Sequence, residues 1–239
     1  MPVSTTHSRI PLPLKLAYTA FVAVLVPYYW VTYSPWNFLF FCDVALLMTL
    51  VAIWREDALL ASVAAVGITL PQFLWVLDFL AMGRIVGLAS YMFDPKIPLF
   101  VRGLSSFHGW LPFLLLWMVF RLGYDRKALV LQIGLTWALL LICYLFGPVP
   151  PAPASDPNLA VNVNYVYGPG FEAPQTWMPP RLWLGLLMVG LPLACHVPTH
   201  LVLRRWIAGP SPRSTARVAQ AIPKTEVDAG GLVTREGRP

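Results

Sequence analysis

The chain alternates long apolar runs with short polar connections. Six runs can be marked off, at residues 12–33, 36–54, 58–82, 104–120, 128–146 and 181–203, each near the ~20 residues a helix needs to cross hydrocarbon. Backbone groups in lipid must be hydrogen-bonded within their own segment, so each run is predicted to be helical. The Ser34-Pro35 step turns the first two runs into a tight hairpin. The expected fold class is therefore all-α, a polytopic membrane protein with a bundle of six transmembrane helices. Within it the second run, WNFLFFCDVALLMTLVAIW, carries Cys42 and Asp43 side by side. A carboxylate inside a span implies a partner, a wet cavity or a function.

The connections differ in character. Residues 83–103 are too broken by Gly, Asp94, Pro95 and Pro98 to span. They predict a short interfacial or re-entrant segment between helices 3 and 4, held at headgroup level by Tyr91, Phe93 and Phe100. Residues 147–180 contain nine prolines, with Asp156 and Glu172 as their charges. The first half reads as a stiff polyproline-like strip. The second half, NVNYVYGPGF, is read either as a loop packed back onto the bundle mouth or as an aromatic belt. Residues 207–239 turn polar and rich in Gly and Pro, as a disordered tail does.

Composition supports a lipid solvent: 57% of residues are hydrophobic and 12% charged, with mean hydropathy +0.64, where a soluble domain carries roughly 25% charged residues. The 17 Lys and Arg against 11 Asp and Glu give a net charge of +6. These cations flank the runs instead of forming a stripe interleaved with aromatics, so membrane lipids are the expected partners and nucleic acid is not. Arg9, Lys15, Arg55, Arg121, Arg126, Lys127, Arg204 and Arg205 fall on one side; Arg84, Lys96, Arg102 and Arg181 fall on the other. The positive-inside rule then places both termini in the cytoplasm. The first run is near spanning length, ends in Pro27 and aromatics and lacks a small-residue cleavage site, so it is expected to stay as a span. Oligomeric state is left open.

Motifs exclude more than they assign. Cys42, Cys143 and Cys195 are isolated, which argues against a disulfide framework or a zinc site. His196 and His200 share a helix face, but Pro198 interrupts the turn and no carboxylate accompanies them, so neither a metal nor a haem is expected. There is no phosphate loop, HExxH or GxSxG, and no cofactor is implied.

Depth gathers the chemistry. Cys42 lies about six residues into the second run, roughly 9 Å at 1.5 Å per residue, with Asp43 one residue deeper. Asp78 falls near the outer end of the third run and His108 about one turn into the fourth. A thiol, an imidazole and two carboxylates thus share the outer half, and Asn164 and Tyr165 belong to a loop able to close over them. A cysteine attacks an acyl carbon when a base takes its proton and a third group orients that base. His108 is the candidate base, with Asp43 or Asp78 as the orienting group. Each residue also has a structural reading: Cys42 as small packing, Asp43 as a helix cap or partner of Arg102, Asp78 as partner of Arg84, and His108 as a headgroup-level side chain.

Phe41-Cys42-Asp43, Phe107-His108-Gly109 and Asn164-Tyr165 together resemble a family of small bacterial six-helix membrane proteins. That family is related to a vertebrate transmembrane acyltransferase that remodels ether phospholipids. More distantly, it is similar to the androgen-induced membrane hydrolases of fatty acid esters of hydroxy fatty acids. The resemblance spans residues 36–206 through motifs of two or three residues. It implies a bacterial inner-membrane enzyme that carries an acyl group on Cys42 with help from His108; the hydrolases use threonine in that role. Phe40 and Phe41 before the cysteine, and the proline-rich loop before Asn164, depart from the pattern. The function expected is lipid acyl transfer or acyl-ester hydrolysis, with Cys42 and His108 catalytic and Asp43, Asp78, Asn164 and Tyr165 supporting. The alternatives are a small-molecule or proton carrier and a structural partner subunit. A carrier needs polar residues through the inner half, where the second to fifth runs offer Thr49, Ser62, Gln132 and Thr136.

Overall fold

A computed structural model describes residues 8–209, and every regular element among them is helical. The helices are α1 (Leu12–Tyr33), α2 (Phe41–Arg55), α3 (Ala58–Leu80), α4 (Leu99–Ser105), α5 (Phe107–Leu122), α6 (Ala128–Phe146), α7 (Pro180–Leu191) and α8 (Val197–Trp206). Five stretches are long and apolar enough to cross a membrane: α1, α3, α4 with α5, α6, and α7 continued through α8. The chain is an all-α membrane bundle.

The second expected span is the exception. Its helix has 15 residues, about 22 Å at 1.5 Å per residue, short of the ~30 Å hydrocarbon core. Pro35 opens a 3-10 turn over Pro35–Leu39, and Phe40 is extended at φ −59° and ψ 139°. The apolar run therefore spends its first residues on a turn, and Cys42 and Asp43 lie in the first turn of α2 instead of well inside a helix. The fourth span is correspondingly longer than expected. It begins at Leu99, recruits the end of the predicted interfacial segment and jogs at Ser106 between α4 and α5. The last span changes to a π turn over Pro192–His196. Pro192 and Pro198 lack the amide that would continue the regular ladder there.

Helix α3 is the hub. Over its most apolar stretch 61% of residues are buried, against 28% in α1 and α6, and it packs on α2, α5, α6, α8 and the π turn. Its small residues Ala61, Ala64, Ala65 and Gly67 allow this close approach. A Cβ at Gly67 would lie 2.6–2.9 Å from the Gln132 side-chain tip of α6.

Hydrogen bonds mark the two ends of the bundle. At the end holding residues 8–10 and 208, Glu56 takes the Ser8 hydroxyl, the Arg9 and Ile10 amides and the Lys15 ammonium, while Tyr124 N–H donates to Ala208 O at 2.9 Å. Most of the expected tail, residues 210–239, lies outside the described residues. At the opposite end the loop after α6 packs onto the bundle mouth, with Ala160 N–H donating to Tyr33 O at 3.1 Å.

Candidate functional site

The site is built on the start of α2. The first amides of a helix have no acceptor one turn earlier, and here one finds a side chain from the far loop. Phe41 N–H donates to Asn164 Oδ1 at 3.0 Å, while Asn164 Nδ2 donates to Leu39 O at 2.8 Å. One buried side-chain amide thus bridges both sides of Phe40 and fixes where the helix begins. Its Nδ2 also lies 3.6 Å from Cys143 Sγ.

The loop that delivers Asn164 has an uncommon backbone. Asn162, Asn164 and Tyr165 have φ of 49°, 58° and 61°, a left-handed region that asparagine tolerates and that is an outlier for a bulky side chain. Local bonds over-determine it. Asn162 Nδ2 donates to Gly168 O and Gly170 O, its Oδ1 accepts from Tyr167 N–H, and Trp183 Nε1 donates to Tyr165 O at 2.8 Å.

Cys42 Sγ donates to Asp43 Oδ2 across 3.7 Å, and Asn37 Nδ2 donates to the same oxygen at 3.3 Å. Asp43 is 3% exposed and its Oδ1 has no partner. The expected pairing of Asp43 with Arg102 does not form: Arg102 Nη1 donates to Met92 O instead.

His108 lies in the first turn of α5. Its Nδ1 is 2.8 Å from Ser105 O; a carbonyl only accepts, so Nδ1 carries the proton and the lone pair is on Nε2. The ring stacks on Trp75 at 5.5 Å between centroids and lies 4.1 Å from Phe107. Ser105 is a node, since its hydroxyl is 3.1 Å from Tyr29 OH. Tyr91, from the 3-10 turn Ser90–Phe93, approaches Ser105 and the Trp75 indole, whose N–H has no partner of good geometry. Burial raises the pKa of the Tyr91 phenol, and nearby Cys42 and Asp43 add to the effect. Burial likewise raises that of Tyr165, with Cys42 again adjacent.

Cys42, Asp43, His108, Asn164 and Tyr165 are therefore gathered at one end of the bundle, each near a helix start or in the covering loop. The sulfur's hydrogen-bond partner is Asp43, and the group orienting His108 is the Ser105 carbonyl. Asp78 is not that group. Its Oδ1 accepts from the amides of Ile85, Val86 and Gly87 and its Oδ2 from Ala89 N–H at 2.8 Å, so it organises the loop after α3 and is paired with these amides, not with Arg84. Tyr29, Asn37, Ser105 and Cys143 join the site although the runs gave no sign of them; Asn37 and Ser105 lie six and three residues before Asp43 and His108.

At the opposite end, His200 Nδ1 is 2.6 Å from Tyr124 OH and the buried His196 Nδ1 has no partner. Among the described residues no group of three or more His, Cys, Asp or Glu is placed to hold a metal ion. Compared with protein-family models, curated proteins and solved structures, the chain finds no match.

Proposed function

We propose that the chain is a membrane-embedded lipid acyltransferase or acyl-ester hydrolase with Cys42 as nucleophile. The observation that carries this reading is the Cys42 thiol seated on a buried carboxylate in the first turn of a helix whose start is clamped by Asn164. In the first half-reaction the sulfur bonds to the ester carbonyl carbon and its proton passes to Asp43. The developing oxyanion faces the Cys42 and Asp43 amides. The C–O bond then breaks and the leaving alkoxide takes the proton from Asp43. In the second half-reaction His108 Nε2 removes a proton from water or a second lipid hydroxyl, which attacks the thioester. The departing thiolate recovers that proton from His108. Tyr165 and Tyr91 border the thiol and exclude bulk water.

In this reading the membrane is a bacterial inner membrane. Both termini are cytoplasmic, by the distribution of basic residues, and the site faces the outer leaflet.

A lipid-like thiol-reactive acyl probe should label Cys42 of the purified chain. Labelling should vanish in Cys42→Ala and fall about tenfold or more in Asp43→Asn, while His108→Ala should still label but lose the acyl group about tenfold or more slowly, on the scale of general acid–base contributions. Unchanged labelling and unchanged cellular lipid acyl composition in Cys42→Ala would sink the proposal.

A second reading, a non-enzymatic carrier, is favoured by Gln72 and Thr69 of α3, both buried, Gln72 with neither amide atom partnered. These extend the polar residues expected for such a path. Proton-coupled uptake in liposomes that survives Cys42→Ala and is lost in Gln72→Leu would select it.

A further inference from the structure

Next to the Cys42 site, the loop end of the bundle holds a cavity of about 430 Å³, a size that accepts a small ligand or a headgroup. Tyr33, Asn37 and Phe40 of the α1–α2 hairpin line one side, Phe171 and Glu172 another, and the proline-rich strip 151–161 covers it. The strip is anchored by the Ala160–Tyr33 hydrogen bond, and its prolines keep it stiff.

The lining has a definite chemical bias. Three aromatic rings and one carboxylate line the space, and among the described residues no Lys or Arg does. The same holds along the whole loop: residues 147–180 carry Asp156 and Glu172 and no basic side chain. An anionic group would meet no counter-charge there. A primary ammonium needs three hydrogen-bond acceptors to replace its water, and the lining side chains offer Asn37, Glu172 and the Tyr33 hydroxyl, spread over different segments. A methylated ammonium presents its charge on an apolar surface. Ring faces and a nearby carboxylate hold it without hydrogen bonds.

We infer that this cavity binds a quaternary trimethylammonium group, carried either by a lipid headgroup or by a free solute. The inference stands whether or not Cys42 is reactive. The test is isothermal titration of the full chain in maltoside micelles with choline, ethanolamine and 3,3-dimethylbutan-1-ol, the neutral isostere of choline. Choline should bind, with the other two about tenfold or more weaker. Phe171→Leu should weaken choline about three- to thirtyfold and Glu172→Gln about threefold, the range for a cation held by rings and one charge. Phe171 is 43% exposed, so Phe171→Leu should keep the melting temperature. Absence of choline binding, equal binding of the neutral isostere or of ethanolamine, or a Phe171→Leu variant with unaltered affinity would overturn the inference. Repetition in nanodiscs separates the two sources. Loss of the choline signal in phosphatidylcholine discs but not in phosphatidylglycerol discs assigns the site to a lipid headgroup; a signal kept in both assigns it to a free solute.

Discussion

At the scale of single residues, the clearest element is Asn164, which donates to one backbone group and accepts from another across Phe40. Asn164→Ala leaves the Phe41 amide and the Leu39 carbonyl without partners and should cost about 1–3 kcal/mol, read from thermal melting in detergent. Asn164→Asp should not rescue it, because a carboxylate accepts from Phe41 but cannot donate to Leu39. An aspartate variant as stable as wild type would show that the clamp is unimportant. Asp78 makes a different prediction. Its two oxygens hold four amides of the loop after α3, and an Asn side chain would turn an NH₂ toward at least one of those donors. Asp78→Asn should open residues 83–90 to limited proteolysis while leaving Cys42 labelling intact; full protection would contradict the assignment. The two residues differ in how far the sequence announces them. Asn164 and Tyr165 stand out in a loop rich in amides and aromatics, and the Cys42–Asp43 contact is visible as adjacency. The partners of Asp78 are backbone amides and that of His108 is a carbonyl, groups every residue has, so composition and spacing cannot name them.

At the scale of elements, apolar run length locates the helices well, because the requirement to hydrogen-bond every backbone group in lipid is strict. It fails where a run contains its own turn. Residues 36–40 read as part of the apolar run; Pro35 opens the turn locally, and the contact that fixes where the helix begins lies 124 positions from Phe40, in the bonds of Asn164 to Phe40's neighbours. The α3–α6 interface offers a test of packing at this scale. Gly67 leaves room for the end of Gln132, which donates to Thr136 at 3.1 Å. Gly67→Ala should displace that flexible tip and cost about 1–2 kcal/mol, within the range for overpacking. Gln132→Ala removes the obstacle. The double variant should therefore be more stable than the sum of the two single changes by about 1 kcal/mol, a coupling expected only of residues in contact. Additive effects in a double-mutant cycle would mean the two helices adjust without strain.

At the scale of the whole molecule, the bundle is closed differently at its two ends. The loop end is covered by a long segment that reaches back to α1 and α2. The other end is tied by residues 8–10, where Ile10 is buried, Arg9 Nη1 donates to Leu122 O, Arg121 donates to Arg9 O and Glu56 gathers the N-terminal donors. Glu56 follows α2 and stands outside the spans. Burial pushes its pKa up, but bonds from Ser8, Lys15 and the Arg9 and Ile10 amides outweigh this and hold it at about 2. In the unfolded chain the carboxyl titrates near its ordinary ~4.3. Because the folded value is the lower one, the stabilisation is complete above that pH and is lost progressively as pH falls toward about 2. Glu56→Gln removes the charge that pairs with Lys15 at 2.9 Å and should lower the melting temperature near neutral pH. The gap between variant and wild type should then narrow as the pH falls from about 5 to 3, since wild type alone loses the ionised form. A gap that stays constant over that range would mean that Glu56 ties residues 8–15 to the α2–α3 turn by packing and not by its charge.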